Sequence, residues 1–518
     1  MSSKSLLSRA DFLKLGLGAA GVAALSRPHA AWADASQLTI MQTEAPRSMD
    51  PADHTASYTA AVLGTMYEGL TQYDSTLTLR PGLATTWSAN AAQTEWSFAL
   101  RPGVMFHDDT PLDAAAVVAS FERHLDTKRG LASSGRFRAV IARVAATGPM
   151  EVKFTLKAAY PAFLRLVAIN NAAIVSPTAD KTGTLGRQAV GSGPFRFVEW
   201  RSGDYVQQAR NAAYWGDKPS FASMRWTWTS EAAVMNMALQ TGDADVVNPL
   251  PPLFAGAVKN RADATLLEGS SAAVFWVSLN TQLKPLDDVR VRQALNYATD
   301  RAALVRSLLY GYATPANSPL APVTFGYDAS VPGYAHDVAK AKALLKEAGY
   351  PDGIAISLAV QEPQANLAQA LQGMWAEAGI KLDVRRMESG VWTQAAFAKP
   401  EQKAQQGTNS VLASWSSGTF DADLQLRPLY ATASAPPGGA NLGFYSNPAL
   451  DALIDKAGQS ADPDERKKLY GEAQRIIQTD APHVLLYYPK DLAGLSSAIK
   501  DLWVLPGGQV MPRWAKRV

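Results

Sequence analysis

The 518-residue sequence contains no cysteine. That one absence excludes disulfides, thiolate metal ligands, a cysteine nucleophile and a lipid-modified cysteine behind a leader. Histidine is nearly as scarce, at six residues. His54, His107, His124, His336 and His483 are scattered, with no pair at helical i, i+4 spacing, so no metal centre is written into the spacing. Charge of one sign is missing too. The formal excess of +3 sits in the first 33 residues, where Lys4, Arg9, Lys14 and Arg27 face only Asp11; beyond them 45 basic residues stand against 45 acidic ones. A body without net charge has no general attraction for phosphate backbones, so nucleic acid is excluded as a partner. No later apolar run reaches the ~20 residues of a membrane span.

What is present begins with a leader. Basic residues at the front, the apolar run from Leu15 to Leu25 and the small residues ending Ala31-Trp32-Ala33 read as a secretory signal, with cleavage expected before Asp34. Ser8-Arg9-Ala10-Asp11-Phe12-Leu13-Lys14 resembles a twin-arginine export signal, with Ala10 in place of the second arginine. Gly16, Gly18 and Gly21 match the dinucleotide fingerprint formally, but in a segment that is cut off and lacks the βαβ context. An exported chain without a lipid anchor is expected to diffuse freely in a periplasm.

Chemistry-bearing motifs are few. Asp180-Lys181-Thr182-Gly183-Thr184 copies the phosphorylated aspartate motif of ion pumps, but without their membrane helices it reads as a polar loop. His107-Asp108-Asp109 reads as a turn capped by carboxylates. No nucleophile elbow, phosphate loop or kinase signature occurs after the leader. Asp421 and Asp423, about 7 Å apart on one extended segment, are the pair a secreted hydrolase could use, and they equally suit binding a cation.

At this length one core does not suffice, so at least two lobes are expected. Strand-like runs such as Gln37 to Gln42 and Val152 to Leu156 alternate with amphipathic helices, which argues an α/β protein. Helices are expected over 113–125, 289–309, 338–348, 364–378, 448–459 and 464–480. The helix after Asp337 carries apolar residues at Val338, Ala341, Leu344, Leu345 and Ala348 and stops at Gly349. Trp226 and Trp228 alternate with Arg225 and Thr227 as strand residues do, and read chiefly as packing.

In chain order there follow Leu79-Arg80-Pro81-Gly82-Leu83-Ala84, Phe98 to Phe106, Asp113 to Val117, Gly191-Ser192-Gly193-Pro194-Phe195, Leu239 to Asp245, Val289 to Ala298 and Lys342 to Tyr350. This succession resembles the solute-binding proteins of peptide, opine and nickel ABC importers, over nearly the whole mature chain. Gly311 to Pro315, Trp415 to Tyr430, Phe444 to Asn447 and Leu502 to Pro506 resemble most the glutathione-binding members.

The resemblance implies a two-lobed periplasmic binding protein fold of the class II type. The first lobe would comprise 34–66, 190–280 and 488–518, an inserted domain 67–189, and the second lobe 281–487, with ligand between the lobes. It implies a monomeric receptor without cofactor or catalysis, handing glutathione or a short peptide to permease subunits in the inner membrane. Another small solute, an opine or a chelated metal, is the alternative within the fold; a hydrolase or a purely structural protein would belong to other classes. By the same resemblance Thr55, Ala56 and Ser57 offer hydrogen bonds to ligand, Trp392 and Trp415 wall the cleft, and Ser416 and Ser417 run beside the ligand. Gly418 stands where peptide-binding members hold the ligand amine with an aspartate, a role Asp421 or Asp423 could take over. Arg136, beside Phe137, matches an arginine of the glutathione-like group and suits a carboxylate.

Overall fold

The computed structural model describes residues 36–518. The leader and its cleavage point lie outside the described residues. Three bodies of secondary structure emerge, each around apolar cores of its own. In the first, Gln37–Gln42 buries every second side chain, and Leu38 and Ile40 reach the core. That strand lies parallel to Ser223–Trp228 on one side and Val246–Val247 on the other. Tyr205–Arg210 and Phe195–Arg201 extend the sheet antiparallel. Within Ser223–Trp228, Trp226 is fully buried, as its alternation with Arg225 and Thr227 implied.

The inserted body is an antiparallel sheet of Ala84–Ala89, Glu95–Leu100, Glu151–Leu156 and Ile141–Gly148. The helix Ala114–Leu125 covers it, capped by the Asp113 carboxylate accepting from the Ala116 amide. Phe98, Phe121, Phe154 and Phe163 meet edge-on or tilted in its core. Arg123 ties this body to the first lobe, pairing with Asp50 and, at 2.8 Å, with Asp180. Asp180 of the pump-like motif is thus one end of an ion-pair cluster, and Asp108 closes a turn by accepting from the Thr110 amide and hydroxyl.

The second lobe is built on Ile380–Met387, Ile354–Gln361, Ser410–Ser416 and Ala273–Leu279. Helices cover both faces, with Leu371 and Trp375 packed in one core and Leu426, Tyr430, Tyr470 and Ile477 in the other. The sheet's inner strands are therefore nearly continuous apolar runs. The helix expected over 289–309 is two helices, Val289–Tyr297 and Arg301–Leu308, because Asp300 accepts from the Ala303 amide and starts the second.

One strand, His483–Ser496, belongs to both lobes. Its first half pairs with Ala273–Leu279 and its second with Ala264–Ser270. The chain thus crosses between lobes twice, at residues 271–272 and 489–490. We assign Ala273–Leu279 to the second lobe on this pairing, although a boundary at 280/281 was expected. Ala173, Val175, Ala179, Leu185 and Ala189 pack in the first-lobe core, which places them there and not with the inserted domain as 67–189 would have it.

The segment Gly191-Ser192-Gly193 runs flush against residues 65–67. A Cβ on Gly191 would lie 2.3 Å from the Met66 carbonyl oxygen, and one on Gly193 would lie 2.6 Å from the Met66 carbonyl carbon. Backbone cannot yield as a flexible side chain would. Gly191→Ala is expected to destabilise the fold by about 2 kcal/mol, within the cost of forced overpacking, read by chemical denaturation. A change below a few tenths would mean that the segment shifts freely.

Candidate functional site

Where the three bodies meet lies a cavity of about 200 Å³. Six short segments form its wall. His54, Thr55, Ala56 and Ser57 lead into the helix Ser57–Leu63; Tyr67 to Tyr73 turn beneath it; Arg136 and residues 168–171 come from the inserted domain; Leu505 to Arg513 form a hairpin; and Ser416, Gly418 and Phe420 come from the second lobe. The hairpin turn requires glycine, since Gly507 and Gly508 have φ of +103° and +85°. Its tip meets the second lobe, because a Cβ on Gly507 would lie 3.1 Å from the Ser416 hydroxyl.

A small apolar cluster seals one side of the cavity. Tyr73, Ala272 and Phe420 form it, with Leu505 and Val323 packed against them, so all three bodies contribute. The Tyr73 ring meets Phe420 edge-on at 5.2 Å, and its hydroxyl donates to the Thr419 carbonyl at 3.0 Å.

Polar groups of the first lobe and inserted domain are held rigidly. His54 Nε2 lies 3.2 Å from Asn170 Oδ1, while Asn171 donates to the Pro51 and His54 carbonyls. Burial holds the His54 imidazole below its usual pKa, so it is neutral at pH 7. Glu68 accepts from Ser192, Tyr214, Trp215 and Arg513. Arg513 also reaches Gln72 at 3.1 Å and lies over the Trp514 ring.

Arg136 differs from Arg513. The helix Ser134–Val140 turns Phe137 into the core, against His124 at 4.1 Å, and thereby turns its neighbour Arg136 to the cavity. Burial lowers the Arg136 pKa from its ordinary value, and no carboxylate among the described residues pairs with it. A half-buried guanidinium without a counter-charge is a ready partner for an incoming anion.

Of the other residues expected at the site, Thr55, Ala56, Ser57, Ser416 and Gly418 line the cavity. Phe137 does not; it is fully buried in the inserted core. Trp392 and Trp415 pack on the second-lobe core, and Trp415 Nε1 donates to the Leu424 carbonyl at 3.2 Å. Ser417 is buried, its hydroxyl directed to the Asp421 carbonyl at 3.4 Å.

Asp421 and Asp423 lie behind the wall in ion pairs. Asp421 binds Arg466 at 2.7 Å, with Arg165 at 3.9 Å from its other oxygen, and Asp423 binds Arg427 at 2.8 Å. Two carboxylates committed to guanidinium groups are not a hydrolytic pair. Sequence reasoning missed His54, Tyr73, Asn170, Gln509, Met511 and Arg513. The Pro506-Gly507-Gly508 turn marked the hairpin, but nothing local said that it faces a cleft.

Among the described residues no helix is long and apolar enough to cross a membrane. The profile of "Bacterial extracellular solute-binding proteins, family 5 Middle" matches residues 78–436. The chain is 33% identical over 496 residues to the glutathione-binding protein GsiB of Pectobacterium atrosepticum, covering 95% of this chain and 96% of the relative. It is 32% identical over 497 residues to GsiB of Escherichia coli K12, with the same coverage. Among solved structures, HbpA2 from Haemophilus parasuis superposes with a TM-score of 0.82 at 26% identity, covering 93% of this chain and 100% of that one. DppA from Helicobacter pylori, in complex with the peptide STSA, gives 0.79 at 26%, covering 93% and 98%.

Proposed function

The chain belongs to family 5 of the bacterial extracellular solute-binding proteins, and from that premise we propose that its cavity captures glutathione or a short peptide by a free carboxylate. It is the solute-binding component of an ABC importer and not an enzyme, as its relatives are. Such proteins work with permease subunits, and its relatives are periplasmic. On this reading the leader is removed near Ala33, and the mature monomer diffuses between outer and inner membranes.

The single observation that carries the ligand reading is Arg136, a cation facing the cavity with no carboxylate partner among the described residues. A bidentate carboxylate pair there gains from partial desolvation. Thr55, Ala56 and Ser57 supply polar groups beside it, and Ser416 with Gly418 approaches from the second lobe. Phe420, Tyr73 and Leu505 supply the apolar seal, the usual composition of a small-molecule site.

The test is thermal unfolding of protein refolded to strip carried-over ligand. At a thousandfold excess over Kd, reduced glutathione should stabilise the fold by about 4 kcal/mol, a rise of a few degrees. Arg136→Ala should weaken that ligand at least tenfold in calorimetric titration, about 1.4 kcal/mol or more. A shift with short peptides alone would move the cargo from glutathione to peptide. Unchanged affinity in the variant would remove Arg136 from the site.

A further inference from the structure

The charges around the cavity are unbalanced. Glu68 is the one acidic residue among those lining it. Its two oxygens already accept from Ser192 at 3.0 Å, Trp215 at 2.8 Å, Tyr214 at 2.7 Å and Arg513 at 2.8 Å. A carboxylate offers about four lone-pair sites, so these donors use its capacity. Glu68 and Arg513 therefore cancel each other and hold nothing in reserve.

The nearest acids behind the wall are not among the residues lining the cavity, and Asp491, which has no ion-pair partner among the described residues, accepts from the Gly507 amide at 2.7 Å. Asp421 is fully buried against Arg466 and Arg165, and Asp423 is held by Arg427 through two guanidinium nitrogens. What is left facing the cavity, among the described residues, is one unpaired cation, Arg136, beside a neutral imidazole at His54. A zwitterion placed here would satisfy its carboxylate and leave its ammonium with no counter-charge from the wall. Burying an unpaired ammonium is costly, whereas an amide in its place asks only for an ordinary hydrogen bond.

We infer that this site reads its ligand through negative charge alone, and takes N-acylated, carboxylate-bearing peptides and related anionic solutes at least as readily as peptides with a free amino terminus. The inference rests on the carboxylate-capture reading above and names the substrate class of that same site. It concerns what the wall omits as much as what it offers. A cleft with a free cation and no free anion selects net negative charge, and acylation of the amine removes a group that the wall has no means to pair.

Calorimetric titration of the stripped protein tests this with two matched series. One is reduced glutathione, N-acetylglutathione and glutathione glycyl monoethyl ester; the other is trialanine, N-acetyl-trialanine and trialanine amide. In the series that binds, N-acetylation is expected to change Kd by less than threefold or to tighten it. Esterification or amidation should weaken it at least tenfold, and Arg136→Ala should erase most of that difference. A tenfold loss confined to the acetylated members would overturn the inference while leaving carboxylate capture intact. A blocked carboxylate that binds as well as a free one would overturn both, and so would the absence of binding by all six.

Discussion

Arg513→Met should cost the fold about 3 to 5 kcal/mol, the range for removing one partner of a buried ion pair. The side chain is 8% exposed and its partner Glu68 3%, so water cannot replace the lost guanidinium. Glu68 would keep its hydrogen bonds from Ser192, Tyr214 and Trp215 but lose its only counter-charge among the described residues. The carboxamide of Gln72 would lose its contact as well. Because both residues line the cavity, ligand affinity should fall together with stability.

A second substitution separates charge from packing. Glu68→Gln in the Arg513→Met background should restore at least half of the lost stability, since no buried charge then lacks a partner. Chemical denaturation of the two single variants and the double variant measures this. Additive losses would show that Arg513 acts by packing on Trp514, over which it lies at 4.6 Å, and not by its charge. Arg513→Lys should recover only part of the loss, because a single ammonium cannot span Glu68 and Gln72 as a planar fork does.

The other large effect is a gain. Lys403 is 1% exposed, with its ammonium donating to the Leu442 carbonyl at 2.8 Å and lying 5.0 Å from the centre of the Phe444 ring. No carboxylate pairs with it among the described residues, and burial depresses its pKa from 10.5 to about 7. The folded-state value lies below the unfolded one. Between pH 7 and 10.5 the unfolded chain therefore holds a proton that the folded chain lacks, and stability rises with pH at about 1.4 kcal/mol per pH unit.

Below pH 7 both states are protonated and the full penalty stands. Lys403→Met keeps the aliphatic stem and removes the ammonium, at the cost of one hydrogen bond to a carbonyl. The variant should be more stable than the parent by about 3 kcal/mol at pH 6, and by less than about 1 kcal/mol at pH 9. Equal gains at both pH values would show that the buried ammonium is not the source of the cost.

How far the site was legible follows from where its parts lie in the chain. Local signals were reliable where the cause is local. Asp113 and Asp337 start helices because their carboxylates accept from amides three residues on, and the alternation in Gln37–Gln42 is the alternation of burial. The same rule explains the helix that broke: Asp300, inside the apolar periodicity of 289–309, accepts from the Ala303 amide and starts the second of two helices.

At the site, Arg136 and Phe137 were legible as neighbours, but not which of the two faces the core. Phe137 turned inward because a ring at that position completes the cluster of His124 and Phe121. Asp421 and Asp423 were legible as a pair. Arg427 lies four residues after Asp423 in the helix Asp423–Tyr430 and was a local partner, but the occupation of Asp421 was not legible, because Arg466 stands 45 residues further along the chain.

Composition and motif order by themselves determined the class: a body without cysteine, metal spacing or net charge, patterned as α/β lobes, in the motif succession of an importer's solute-binding family. These are properties that burial periodicity, capping and local composition carry within about a dozen residues. Only the tertiary structure decided which charges are free. The ion pairs Glu68 with Arg513, Asp50 with Arg123 and Asp421 with Arg466 join residues 445, 73 and 45 positions apart, and each withdraws an apparent binding group from the ligand. Arg136 is left over because folding brought it no carboxylate among the described residues. Pairing depends on distance in space, and sequence separation says almost nothing about that until the chain has closed on itself.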